Sequence, residues 1–165
     1  MINLVYSMER VPIDRPSCFL AGPTPRSKEV KSWRPEAIQI LTECGFDGNV
    51  FVPEYKEHRD ILAGLEHTEQ IDWEHHYLDY CDAILMWVPR DMKDMPAMTT
   101  NIEYGLYVKS GKLFYGRPDE APKNAYLDYS YRKFLGRKPQ NTLGLLVIQT
   151  LLFVRNKGLI TKYDN

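Results

Sequence analysis

"CDAILMWVPRDMKDMPAMTTNIEYGLYVKSGKLFYG", residues 81–116, carries two apolar runs, "AILMWVP" at 83–89 and "KLFYG" at 112–116. Neither run alternates polar with apolar residues, as a strand wet on one face would. Strands covered on both faces read this way, and such strands belong to parallel sheets. Between them lies a polar loop and then "TNIEYGLYVKS" (100–110), which brings Ile102, Leu106 and Val108 near one another and stops at Gly111. The spacing predicts a helix there, and strand, helix and strand in succession make a βαβ unit.

The same alternation extends in both directions. "CFLAGP" (18–23) and "NVFVPE" (49–54) are further short apolar runs bounded by turn residues, and "INLVYS" (2–7) is a candidate edge strand. Residues 33–44 predict a helix with Ala37, Ile40, Leu41 and Cys44 on one side, ending at Gly45. Residues 69–80 predict another, with Ile71, His75 and Leu78 together, and 124–136 and 141–156 read as closing helices. The expectation is one α/β domain over residues 1–165, a parallel sheet flanked by helices.

Composition narrows the function classes. The chain has 165 residues, 44% hydrophobic and 26% charged, with a net charge of −1. That balance is ordinary for a globular protein and gives no reason to expect nucleic acid or an anionic membrane as a partner. The local basic cluster, Arg132, Lys133, Arg137 and Lys138, reads first as a solvated helix end. The apolar stretch from Leu143 to Val154 is 12 residues long and contains Gln149 and Thr150, too short to span a bilayer. Glu9, Arg10, Asp14 and Arg15 interrupt any apolar run at the start, so no secretory signal is expected. Cys18, Cys44 and Cys81 are odd in number and widely spaced, which suits reduced thiols in a cytoplasmic protein. His75 and His76 have no histidine partner one turn away, and no metal site is expected.

Ligands of open α/β sheets bind beyond the carboxyl ends of the strands. The loops expected there are "GPTPRS" (22–27), "PEYKEH" (53–58) and "PRDMKDMPAMTTN" (89–101). They offer Gly22, Pro23, Thr24, Arg26, Glu54, Asp91, Thr99, Thr100 and Asn101 as candidate substrate-binding residues. Each loop also has a plain structural role, since prolines end strands and polar loops face water. Of the tryptophans, Trp87 suits core packing, whereas Trp33 or Trp73 is a candidate to stack on a base.

"FLAGPTPR" (19–26), "VPE" (52–54), "IDWE" with "CDAILMWVP" (71–89) and "TTNIEYGLYVKSGK" (99–112) together resemble the nucleoside 2-deoxyribosyltransferase-like family, in the family's motif order. The resemblance covers roughly residues 18 to 118. It implies a flavodoxin-like or Rossmann-like fold, small-molecule substrates (a nucleoside or nucleotide and a free nucleobase), no cofactor, and a homo-oligomer whose pockets a neighbouring subunit can complete. It makes Glu103 the nucleophile and Asp72 a pocket carboxylate. The sequence departs from the family's "DxGxxxE" pattern, because Ala97 stands where many members have an aspartate near the base.

The chemistry suits such residues. A carboxylate beside the anomeric carbon can form a covalent glycosyl-enzyme, and a proton donor helps the base depart. At a helix start, Glu103 would be held anionic by backbone amides, with Thr99, Thr100 and Asn101 as caps; an ordinary first-turn glutamate fits the same position. Two activities remain open: transfer of 2-deoxyribose between bases, and hydrolysis of a nucleoside 5′-monophosphate with Arg26 gripping the phosphate. A non-catalytic nucleotide-binding module is a third possibility.

Overall fold

The computed structural model describes residues 1–56 and 65–163. The last two residues of the 53–58 loop, including His58, therefore lie outside the described residues. The elements in chain order are β1 (Asn3–Tyr6), β2 (Ser17–Ala21), α1 (Arg34–Glu43), β3 (Asn49–Val52), α2 (Leu65–Tyr80), β4 (Ala83–Trp87), α3 (Met98–Tyr107), β5 (Leu113–Gly116), α4 (Ala125–Leu135) and α5 (Leu143–Tyr163). The five strands pair in the order β1-β3-β2-β4-β5, every pair parallel. This is the expected α/β architecture of flavodoxin-like or Rossmann-like type, with "INLVYS" as the edge strand.

Side chains alternate across the sheet into two apolar layers. Phe19, Ala21, Phe51, Ile84, Met86 and Tyr115 point to the face covered by α2, α3 and α4. Cys18, Leu20, Val50, Val52, Leu85 and Phe114 point to the face covered by α1 and α5. β2 to β5 are buried along their whole length, which is why they lack the alternation of a half-wet strand. Each buried Val, Leu, Ile or Phe contributes about 1.5–3 kcal/mol relative to exposure.

Helix boundaries and faces differ from the sequence reading in instructive ways. α2 begins at Leu65 and buries Trp73, Tyr77 and Leu78, while His75 is exposed. α3 begins at Met98 and ends at Tyr107, burying Thr100, Tyr104 and Tyr107. The expected apolar pair Ile102 and Leu106 is 66% and 60% exposed. The helix has two competing stripes, and the aromatic one wins because the Tyr104 hydroxyl reaches the Leu127 carbonyl and that of Tyr107 reaches Asp79. Buried tyrosines need such partners. α5 continues past residue 156 to Tyr163.

The chain leaves β2 through α1 to β3 on one side, then crosses through α2 to β4 on the other. β2 and β4 are adjacent, so the connections diverge between them. A crevice opens at such a switch point, outside the carboxyl ends of the strands.

Candidate active site

The backbone at the switch point is very close. Gly22, just after β2, has φ of 141°, and a Cβ there would stand 2.1 Å from the Trp87 carbonyl oxygen. Only glycine permits both the torsion and the approach. Trp33 lies beneath this turn and donates its indole N–H to the Pro23 carbonyl at 3.1 Å. Trp73 donates to the Glu9 carbonyl and is 1% exposed. Both rings are packed structural groups, contrary to the expectation that one of them stacks on a base.

Arg34, the first residue of α1, ties the loops together. It is 1% exposed. Its Nε donates to the Leu20 carbonyl at 3.0 Å, Nη2 to the Gly22 carbonyl at 2.6 Å, and Nη1 to Thr24 Oγ1 at 3.0 Å and to Glu54 Oε1 at 2.5 Å. Ser32 Oγ donates to the same Glu54 oxygen at 2.7 Å. A buried guanidinium requires such a set of acceptors and a counter-charge. The ends of β2 and β3 are thereby fixed to the start of α1. Thr24 and Glu54 thus meet through Arg34. The Arg26 side chain is exposed, and its backbone N–H donates to the Asp94 carbonyl at 3.0 Å, joining this loop to the one after β4.

Glu103 is the sixth residue of α3, beyond the first turn. The helix starts after Ala97, which has left-handed φ of 58° and gives no side-chain cap. The expected anionic first-turn glutamate is replaced by a partly buried carboxyl whose pKa is pushed up to about 7. Burial is the largest cause and the charge of Glu74 the next, while Arg34 pulls the other way. Its carboxylate accepts no hydrogen bond among the described residues, so both oxygens are free for a ligand.

Glu74, on α2, is the residue that the sequence reading missed. Burial raises its pKa, opposed by the hydrogen bond from Gln70 Nε2 (3.1 Å) and then by the charge of Arg34. Gln70 in turn accepts from the Tyr55 hydroxyl at 3.3 Å. The charge of Glu74 acts on Glu103, which sets the two carboxyls near one another across α2 and α3. Asp72, two residues earlier, is exposed, and the charges acting on Glu103 are those of Glu74 and Arg34.

The other candidates shape the loop. Asp91 Oδ1 accepts from the Lys93 and Asp94 amides at 2.9 and 2.8 Å, closing a turn and holding that carboxyl below its ordinary range. Asn101 Oδ1 accepts from Arg90 Nη2 at 2.6 Å, and Thr100 is buried, while Thr99 is exposed. The expected capping roles of these three are therefore not made. Among the described residues no group of three or more His, Cys, Asp or Glu side chains is placed to hold a metal ion.

A family model described as nucleoside 2-deoxyribosyltransferase like matches residues 15–120. The chain belongs to that family. The matched span contains β2 to β5 and every residue of the switch-point cluster, Gly22, Arg34, Glu54, Glu74 and Glu103. No curated protein matches the sequence. Membership points to an enzyme of glycosyl transfer or hydrolysis acting on nucleosides or nucleobases. Among the described residues no helix is long and apolar enough to cross a membrane.

Proposed function

We propose that this chain cleaves the N-glycosidic bond of a 2′-deoxynucleoside and transfers the deoxyribosyl group to a second base, with Glu103 as nucleophile and Glu74 as its proton-holding partner. The observation that carries this reading is the pair of partly buried carboxyls from α3 and α2, each with a raised pKa. The larger rise falls on Glu103, to about 7, so near that pH the resting pair holds one proton mainly on Glu103, and the reacting form is the one in which Glu103 is ionised and the proton stands on Glu74. An ionised Glu103 oxygen attacks C1′, the C1′–N bond breaks, and its electron pair leaves on the base nitrogen, which takes the proton from Glu74. A second base then attacks C1′, expels the Glu103 carboxylate and returns a proton to Glu74.

A nucleoside suits this site better than its 5′-monophosphate. Glu54 already neutralises Arg34, and the pair of Glu74 and Glu103, holding one proton between them, adds a further negative charge. In the loop that carries Arg26, Thr24 Oγ1 and the Arg26 amide are engaged with Arg34 and the Asp94 carbonyl. The exposed stripe of Met98, Ile102 and Leu106, on the helix that carries Glu103, supports self-association of the kind the resemblance implies.

Incubation with a deoxynucleoside and a different free base, followed by chromatography, tests the reading. The expected product is the exchanged deoxynucleoside. Ribonucleosides should react more slowly, because a 2′-hydroxyl withdraws electrons from the developing cation. Release of base without exchange would mean hydrolysis, and equal ribo- and deoxyribonucleoside rates would overturn the sugar assignment.

A further inference from the structure

A depression of about 430 Å³ lies at the carboxyl end of β5, lined by Arg117, Asp119, Arg132, Lys138, Gln140 and Asn141. Its frame is rigid. The Arg117 amide donates to the Gln140 carbonyl at 2.9 Å and the Gln140 amide to the Tyr115 carbonyl at 3.1 Å, extending the sheet by one bridge. Arg117 is locked by Asp128, whose Oδ2 accepts from Nη2 at 2.7 Å. Asn141 Nδ2 is held on Asp119 Oδ2 at 3.1 Å.

The charge in this frame is unbalanced. Arg117 is neutralised by Asp128, and Asp119 lies 4.0 Å from Arg117 Nη1 and pairs with neither Arg132 nor Lys138 among the described residues. Among the described residues the side chains of Arg132 and Lys138 make no hydrogen bond or ion pair. Cations in the last turn of α4 offset the helix dipole, which accounts for Arg132 and Lys133. It does not account for Lys138, which follows Gly136, the left-handed residue that ends α4.

We propose that this depression is a second ligand site, separate from the switch point, that binds a small phosphate-bearing anion through Arg132 and Lys138, with Arg117 as a fixed wall. Guanidinium and ammonium donors together suit phosphate oxygens. The space exceeds a single phosphate and suits a small phosphorylated metabolite. Asp119 in the lining and the chain's net charge of −1 oppose an extended polyanion such as nucleic acid.

Calorimetric titration with inorganic pyrophosphate at low salt tests the site on three proteins: the wild type, the double variant Arg132→Ala/Lys138→Ala, and Glu103→Gln. The wild type should show saturable binding at one site that weakens with added salt. The double variant should bind about tenfold more weakly or worse, a loss of about 1.4 kcal/mol, while keeping its circular dichroism and any base-exchange activity. Glu103→Gln should bind like the wild type. The proposal is overturned by absent saturable binding, by equal affinity in the double variant, by loss in Glu103→Gln, or by tighter binding of a single-stranded oligonucleotide than of pyrophosphate.

Discussion

Replacing Glu103 by Gln keeps the shape of the side chain and removes its charge, and the consequences for activity and stability have opposite signs. Activity should fall by about 10³-fold or more, because an amide cannot attack C1′ and the reaction loses its covalent route. Stability should rise at alkaline pH. Folded Glu103 releases its proton near 7, against an ordinary value of 4.5, because burial and Glu74 disfavour its charge. Between those values the folded state binds more protons than the unfolded chain, so wild-type stability declines as pH rises through about 7. The gap of about 2.5 pH units corresponds to a ceiling of about 3 kcal/mol. Partial solvent access to the carboxyl lowers this to about 1–2 kcal/mol. For a chain of this size that is about 3–6 °C in Tm at pH 8. At pH 4 the carboxyl is protonated in both states and the two proteins should melt together. Chromatographic base exchange and thermal denaturation from pH 4 to 8 measure both effects. A variant with a tenth or more of wild-type turnover would refute the nucleophile, and one that melts below wild type at pH 8 would refute the electrostatic account.

Glu74→Gln should lower kcat by about 10²-fold or more and remove one limb of the pH profile, whereas Asp72→Asn should leave both nearly unchanged; the reverse pattern would give the acid role to Asp72. Arg34→Met strands Glu54 without its counter-charge and should cost about 3–5 kcal/mol in urea denaturation. Because Arg34 pulls down the pKa of both Glu74 and Glu103, the surviving activity of that variant should have its pH profile displaced upward. Gly22→Ala places a methyl carbon 2.1 Å from the Trp87 carbonyl oxygen at φ of 141°, so it should destabilise by about 4 kcal/mol or more. A melting curve matching wild type would show that the turn can open.

Local pattern determined the fold. The runs at 18–23, 49–54, 83–89 and 112–116 became β2 to β5, because a strand buried on both faces has no room for polar residues and so announces itself in composition. Gly45, expected to stop a helix, stands just beyond α1 with φ of 69°. Glu103 was singled out by its surrounding motif, and Gly22 by its position after a strand. Tertiary contacts decided the rest. α3 carries an aliphatic and an aromatic stripe of similar hydrophobicity, and hydroxyl partners on α2 and α4 chose the aromatic one. Arg34 looks like any arginine at a helix start, since its four acceptors lie 10 to 20 residues away along the chain. Glu74 is one of several acids on a charged helix, and only the packing of α2 against α3 brings it beside Glu103 rather than Asp72. The ionisation of the pair follows the same logic: a carboxyl's pKa is set by burial and by neighbouring charge, and both arise from segments nearly 30 residues apart in the chain, from 74 to 103.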